Sequence, residues 1–158
     1  MAVNRSAGLL LYRRAPEGVE VLVGHMGGPF WARREAGAWT VPKGEHDADE
    51  PAWDAARREF EEELGVPPPD GAAVPLGEVR QRGGKTVTVW AVEGDIDPAD
   101  VVPGTFTMEW PRGSGRVSTF PELDRVAWLP LSRAREVVVS AQTAFLDRLP
   151  EHLGSVHG

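Results

Sequence analysis

An α/β fold of the α+β kind, a sheet covered by helices, is predicted by three features of the sequence. Strand-like segments, a helix, more strand-like segments and a closing helix follow one another along the chain. The central helix repeats an apolar residue at every fourth position, Ala52, Ala56, Phe60 and Leu64. With 158 residues, 41% of them hydrophobic, the chain can bury one core without staples, and residues 1–158 are read as a single domain. The pattern alone leaves the strand pairing open.

Ala7 to Tyr12 and Val19 to His25 read as short strands separated by the turn-like Ala15-Pro16-Glu17-Gly18, an opening hairpin. Met26 to Ala38 holds Gly27-Gly28-Pro29, Phe30-Trp31 and Arg33-Arg34-Glu35, too irregular for a regular element and aromatic enough to serve as a substrate loop. Asp49 is the expected N-cap of the central helix, Pro51 suits its first turn, Trp53 joins its apolar stripe, and Gly65 before Pro67-Pro68-Pro69 stops it. Val74 to Gln81 and Thr86 to Val92 form a second hairpin about Gly83-Gly84, the latter strand alternating Val87, Val89 and Ala91 against Thr86, Thr88 and Trp90. Arg125 to Leu129 reads as a last strand. Ser132 to Leu149 reads as one amphipathic closing helix with Val137, Val138, Ala141, Phe145 and Leu149 inward.

Composition excludes several kinds of function. Seventeen Lys and Arg against 24 Asp and Glu give a net charge of -7, which opposes a broad grip on nucleic-acid backbones, so nucleic acid is not an expected partner. The absence of cysteine excludes disulfides, thiolate metal sites and thiol nucleophiles, and points any metal toward oxygen or imidazole ligands and hence toward a hard cation. The apolar run Leu9 to Leu11 is too short for a signal peptide or a membrane span, and a cytoplasmic location without membrane contact is expected.

Chemistry concentrates on the central helix. Glu59, Glu62 and Glu63 stand at i, i+3 and i+4, so their carboxylates share one face beside the apolar stripe. Like charges so placed cost about 0.2–0.5 kcal/mol per pair, and more where water is excluded. Two readings follow: a platform for Mg²⁺ or Mn²⁺, or a solvated acidic face.

The longer segment separates those readings. Gly44, five residues, Glu50, seven residues, Arg58-Glu59-Phe60, Glu61, Glu62-Glu63, Leu64, Gly65 and Val66 resemble the box of the Nudix (MutT-like) hydrolases at every slot. Seven single-residue positions at ordinary frequencies make a chance match on the order of one in 10⁸ per start position. The resemblance implies a Nudix-type α/β/α sandwich, a mixed β-sheet flanked by helices, and a magnesium- or manganese-dependent enzyme that hydrolyses a phosphoanhydride bond in a nucleoside diphosphate derivative. It assigns Glu59, Glu62 and Glu63 to the metals, with the Gly44 carbonyl oxygen beside them. It makes Arg58, set away from the carboxylate face, an ion-pair partner of Glu50 that supports the catalytic set. The proton acceptor is Glu62 or Glu63, or a carboxylate of a later loop such as Glu109 or Glu122.

Just upstream, Pro42-Lys43-Gly44 stands where many members carry Pro-Gly-Gly, and that variant looks like the branch acting on dinucleoside and diphosphoinositol polyphosphates. Lys43 is thereby a candidate contact to a long anionic chain, alongside Arg80, Arg82 and Lys85 at the second hairpin turn and Arg112 and Arg116 beyond Pro111. A Pro or a Tyr that marks the ADP-ribose and diadenosine polyphosphate branches is missing between Glu78 and Thr86. Base stacking falls to Trp39, Phe30, Trp31 or Trp110, with Trp90 and Trp128 assigned to the core; His25 and His46 are weaker substrate candidates. The expected partner is a small nucleotide or polyphosphate, with homodimer formation open. House-cleaning hydrolysis of nucleoside triphosphates or ADP-ribose, removal of an RNA 5′ pyrophosphate, and a non-catalytic nucleotide sensor are the alternatives.

Overall fold

The computed structural model describes residues 4–154, and at its centre lies β1 (Arg5–Ala15), buried on both faces from Ser6 to Tyr12. Pro16-Glu17 turns the chain into β2 (Gly18–Met26), antiparallel to β1 with Tyr12 opposite Val21. β3 (Trp39–Thr40) pairs with the end of β2, and β4 (Lys43–Glu45) pairs with the first half of β1. α1 (Ala52–Leu64) follows, then β5 (Ala73–Arg80) and β6 (Thr86–Glu93) about a turn in which Gly83 and Gly84 both take positive φ, 92° and 89°. β7 (Thr105–Glu109) and β8 (Val117–Pro121) form a separate hairpin, and β9 (Leu123–Pro130) pairs with β2. α2 (Leu131–Val137) and α3 (Thr143–Gly154) close the described chain.

The main sheet runs β3-β2-β1-β6-β5, with β4 added on β1 and β9 on β2. It is mixed: β6 lies parallel to β1 and the other pairings are antiparallel. The two-residue period of β1 sends Ala7, Leu9 and Leu11 to one face, where they meet Ala55, Ala56, Phe60 and Leu64 of α1. Leu10 and Tyr12 join Val21, Val23, Val87 and Val89 on the other face, under Ala134, Val137, Phe145 and Leu149 of α2 and α3. The result is the predicted sandwich, with α1 on one side of a sheet whose central strand is apolar on both faces.

Two predicted elements differ and one element is new. Asp49 does not cap α1; the helix begins after Pro51, which has no side-chain cap, because a proline disfavours helical backbone at the residue before it. Asp47 to Glu50 instead makes a turn closed by Glu50 N–H on the Asp47 carbonyl at 3.2 Å. The closing helix is split, since Val138 is extended (φ −74°, ψ 159°), bridges Trp39, and is followed by Val139 donating its N–H to the Trp39 carbonyl at 2.9 Å. Three consecutive β-branched valines favour that strand-like pairing over helix, and Gln142 occupies the buried position expected of Ala141. The β7–β8 hairpin is an addition to what the sequence predicted.

Candidate active site

α1 packs across β1 and beside β4, so its carboxylate face meets the backbone of the Lys43-Gly44-Glu45 strand. Gly44 allows that close approach: a Cβ at that position would displace the Glu59 carboxyl group. Glu59, Glu62 and Glu63 line one cavity of about 400 Å³ with Lys43, Gly44, Glu45, Lys85 and Glu122. Ser6, Gly104 and Thr105 complete its wall. Gly104 approaches α1 closely, since a Cβ there would lie 2.9 Å from the Glu62 carbonyl oxygen.

Arg58 organises the rim. Its Nε and Nη2 donate to the two Glu50 carboxylate oxygens at 2.9 and 2.8 Å, a bidentate pair. Its Nη1 donates to Glu59 at 2.8 Å and to Glu62 at 3.3 Å. The Glu50 pairing is as expected, but Arg58 does not lie away from the carboxylate face; its long side chain ties Glu50 to two of the three carboxylates. These contacts hold the Glu50 carboxyl below its ordinary value, chiefly through the Arg58 hydrogen bond.

Burial sets the protonation of the inner groups. Glu63 is pushed up to about 8, first by desolvation and then by Glu59 and Glu122, against the opposing Lys43 ammonium and the Lys43 N–H that donates to it at 3.3 Å. Glu59 is raised as well, mainly by burial, while Arg58 opposes that shift. Lys43 is lowered by burial and by the neighbouring Lys85, against the pull of Glu63, Glu45 and Glu59.

The donor set fits a hydrated divalent cation of the Mg²⁺ type. The cavity offers carboxylates, which are hard oxygen ligands, beside the Gly44 backbone, and five glutamates face only two lysines, a charge imbalance that a cation relieves. Among the described residues no three acidic or histidine side chains are gathered closely enough to hold a metal ion by themselves, so an ion here would draw its remaining ligands from water and substrate. The buried Ser6 hydroxyl meets no hydrogen-bond partner among the described residues, and Ser6 stands in the cavity wall.

The predicted substrate contacts divide sharply. Lys43 and Lys85 line the cavity, while Arg80 is exposed on β5 and Arg82 lines a separate groove with Trp31 and Val139. Trp39 is a correction: it is buried in the core, its Nε1 donates to Glu35, its ring meets His25 edge-on at 5.4 Å, and Arg125 covers it at 5.3 Å. No face of it is left for a base. His25 is equally engaged, with Nδ1 bonded to Asp124 at 2.9 Å and Nε2 donating to the Arg34 carbonyl at 2.6 Å. His46 bonds to the Asp47 carbonyl and lines a neighbouring recess with Arg5 and Glu50.

Glu109 accepts from Gly113 and Gly115 N–H at 2.8 and 3.1 Å, so it stabilises the β7–β8 turn rather than facing the carboxylates; Glu122 does line the cavity. Arg112 and Arg116 are exposed at the same hairpin tip, beside Trp110. Phe30 is exposed with Arg34 over its ring, and Trp31 is half-buried against the core. Trp90 and Trp128 pack on the α1 side as expected, Trp90 edge-on to Trp53 at 5.3 Å. Sequence reasoning missed Ser6, Glu45, Gly104 and Thr105. Ser6 carries no local signal, because only the pairing of β1 with β4 and β6 brings it here.

Comparison with known proteins agrees with this fold. No curated protein matches the chain in sequence. The C. elegans Ap4A hydrolase, in a binary complex, is similar in structure with a TM-score of 0.69 and 23% identity, covering 97% of this chain and 99% of that one. The Nudix hydrolase RenU from M. smegmatis has a TM-score of 0.61 and 22% identity, covering 98% and 88% of the two chains. The NUDIX domain of Shewanella oneidensis NrtR, complexed with ADP ribose, has a TM-score of 0.63 and 16% identity, covering 97% and 90%. At these identities the likeness concerns the fold. The family itself is established by a match to the NUDIX domain over residues 3–149, which contains the whole of α1 and its cavity, and the chain therefore belongs to the NUDIX family.

Proposed function

We propose that this protein hydrolyses a phosphoanhydride bond in a nucleoside diphosphate derivative, and that its substrates are nucleoside or dinucleoside polyphosphates. One observation carries the reading: the three box carboxylates share a single cavity with two lysines and the Gly44 strand. Five glutamates would repel a phosphate chain, so a cation must accompany the substrate. Glu59, Glu62, Glu63 and the Gly44 carbonyl oxygen would hold Mg²⁺ or Mn²⁺. When bound, the ion supplies neutralisation of adjacent phosphates and a water of lowered pKa.

The chain's own groups do the remaining work. Lys43 and Lys85 line the cavity and attract the phosphate oxygens that the ions leave uncovered. Arg58 fixes Glu59 and Glu62 relative to Glu50, so the carboxylates are presented with little rotamer freedom. Glu62, Glu63 or Glu122 takes the proton of the attacking water, because all three line the cavity. The paired lysines favour a chain of several phosphates, in keeping with the Ap4A hydrolase among the structural relatives.

A panel assay tests the proposal. Purified protein with Mg²⁺ is offered nucleoside triphosphates, ADP-ribose and diadenosine polyphosphates, and released phosphate or nucleotide is measured. At least one polyphosphate is expected to turn over. Glu62→Gln should lower kcat by at least about 10²-fold while the protein stays folded, since this side chain is 58% exposed. A panel with no turnover, or a fully active Glu62→Gln protein, would sink the proposal.

A further inference from the structure

The carboxylate cavity continues inward. Lys43, Glu63 and Glu122 also line a neck of about 180 Å³ whose other walls are Met26, Thr40, Gln81, Leu123 and Val139. Val139 in turn borders a groove of about 580 Å³ that passes Trp31 and Arg82. On the proposed reading, phosphates occupy the carboxylate end, so the organic part of the substrate extends into the neck. Apart from the shared charged groups its walls are the apolar Met26, Leu123 and Val139 with the polar Thr40 and Gln81, which suits a nucleobase held by few but well-placed polar atoms.

The polarity of the amide in that neck follows from a chain of hydrogen bonds. Val41 N–H can only donate, and it meets the fully buried Gln142 at 2.9 Å, so the Gln142 atom facing it is the oxygen. The Gln142 amide nitrogen therefore points the other way, donating to Thr40 Oγ1 at 3.0 Å and to Gln81 at 2.9 Å. The Gln81 atom receiving that bond must be its oxygen. Thr40 is likewise committed: its hydroxyl accepts from Gln142 and donates to the Val41 carbonyl at 3.0 Å. The donor left for a ligand on these three side chains is the Gln81 NH₂ group, from which nothing accepts among the described residues.

We propose that Gln81 is a specificity-determining residue that donates a hydrogen bond to a nucleobase in this neck, its orientation fixed through Gln142 by the Val41 backbone N–H. The edge of the base that docks there offers a carbonyl oxygen or an unprotonated ring nitrogen. A base presenting an amino group at that point would set donor against donor and be rejected. This proposal rests on the phosphate-cleaving assignment only for the direction in which the ligand lies.

Binding is measured by calorimetry in Mg²⁺ buffer with the four common nucleoside 5′-monophosphates, and with ribose 5-phosphate as the base-free control. Gln81→Glu keeps an oxygen for Gln142 but replaces the outward donor by an acceptor, and Gln81→Leu removes both polar groups. For the preferred nucleotide, affinity relative to ribose 5-phosphate should fall about tenfold in each variant. Comparison with ribose 5-phosphate removes the effect of the added charge in Gln81→Glu. The inference is overturned if no nucleotide binds more tightly than ribose 5-phosphate, if the ratio is unchanged in either variant, or if both ligands lose affinity equally. A failed hydrolysis panel with the expected binding ratios would overturn the hydrolase reading and leave Gln81 standing. Turnover with unchanged ratios would do the reverse.

Discussion

Glu63 and Ser6 show how much of the site is decided by burial of single side chains. Glu63 moves from its ordinary 4.5 up to about 8, so the folded protein binds this proton more tightly than the unfolded chain. Its contribution to stability is therefore fully present below about pH 4.5 and lost as the pH rises toward about 8. In the presence of EDTA, Glu63→Gln should gain in Tm relative to the natural protein as the pH is raised across that window; a difference independent of pH would contradict the burial argument. Ser6 presents the opposite case, a buried hydroxyl that makes no side-chain hydrogen bond among the described residues. Ser6→Ala should leave Tm unchanged or slightly higher, because no protein hydrogen bond is lost. A lower Tm would make the hydroxyl structural.

At the scale of the element, α1 and the strand before it form one unit tied by a single guanidinium. Arg58 reaches Glu50 in the preceding turn and both Glu59 and Glu62 on the helix, so Arg58→Ala frees two box carboxylates together. Activity or metal affinity should fall about 10–100-fold. Arg58→Lys should recover little of it, because an ammonium cannot reproduce the bidentate fork. Recovery by lysine to natural activity would show that charge alone matters. This element was legible from sequence because its information is local: a four-residue apolar period, a stop at Gly65 with φ of 69°, and carboxylates at fixed helical offsets. The break in the closing helix is not legible locally because it is decided elsewhere, by the backbone of Trp39 pairing with Val138 and Val139. Trp39, one of four aromatic residues the sequence offers for base stacking, is core instead, through edge contact with His25 and burial under Arg125. The β7–β8 hairpin is mostly exposed and carries a weak apolar pattern, so its strands had no core-facing period by which to be recognised.

Over the whole molecule, the cavity is assembled from parts far apart in sequence. Ser6 comes from β1, Gly44 from β4, the three glutamates from α1, Lys85 from the turn before β6, and Glu122 from the junction of β8 and β9. Unfolding separates all of them, so a cation that needs several at once binds the folded state and not the unfolded chain. Mass action then predicts stabilisation of about 2.7 kcal/mol when free Mg²⁺ is about 100 times its dissociation constant. For a chain of this length each kcal/mol is worth about 2–4 °C, so Tm should rise by about 5–11 °C. The control is NaCl at equal ionic strength, which screens the glutamates without coordinating them. Glu59→Gln and Glu62→Gln should each diminish the rise specific to Mg²⁺, whereas Glu109→Gln, altered only in the distant hairpin turn, should keep it. Equal shifts in NaCl and MgCl₂ would mean that the carboxylate face is merely screened, and the metal-platform reading would fall with them.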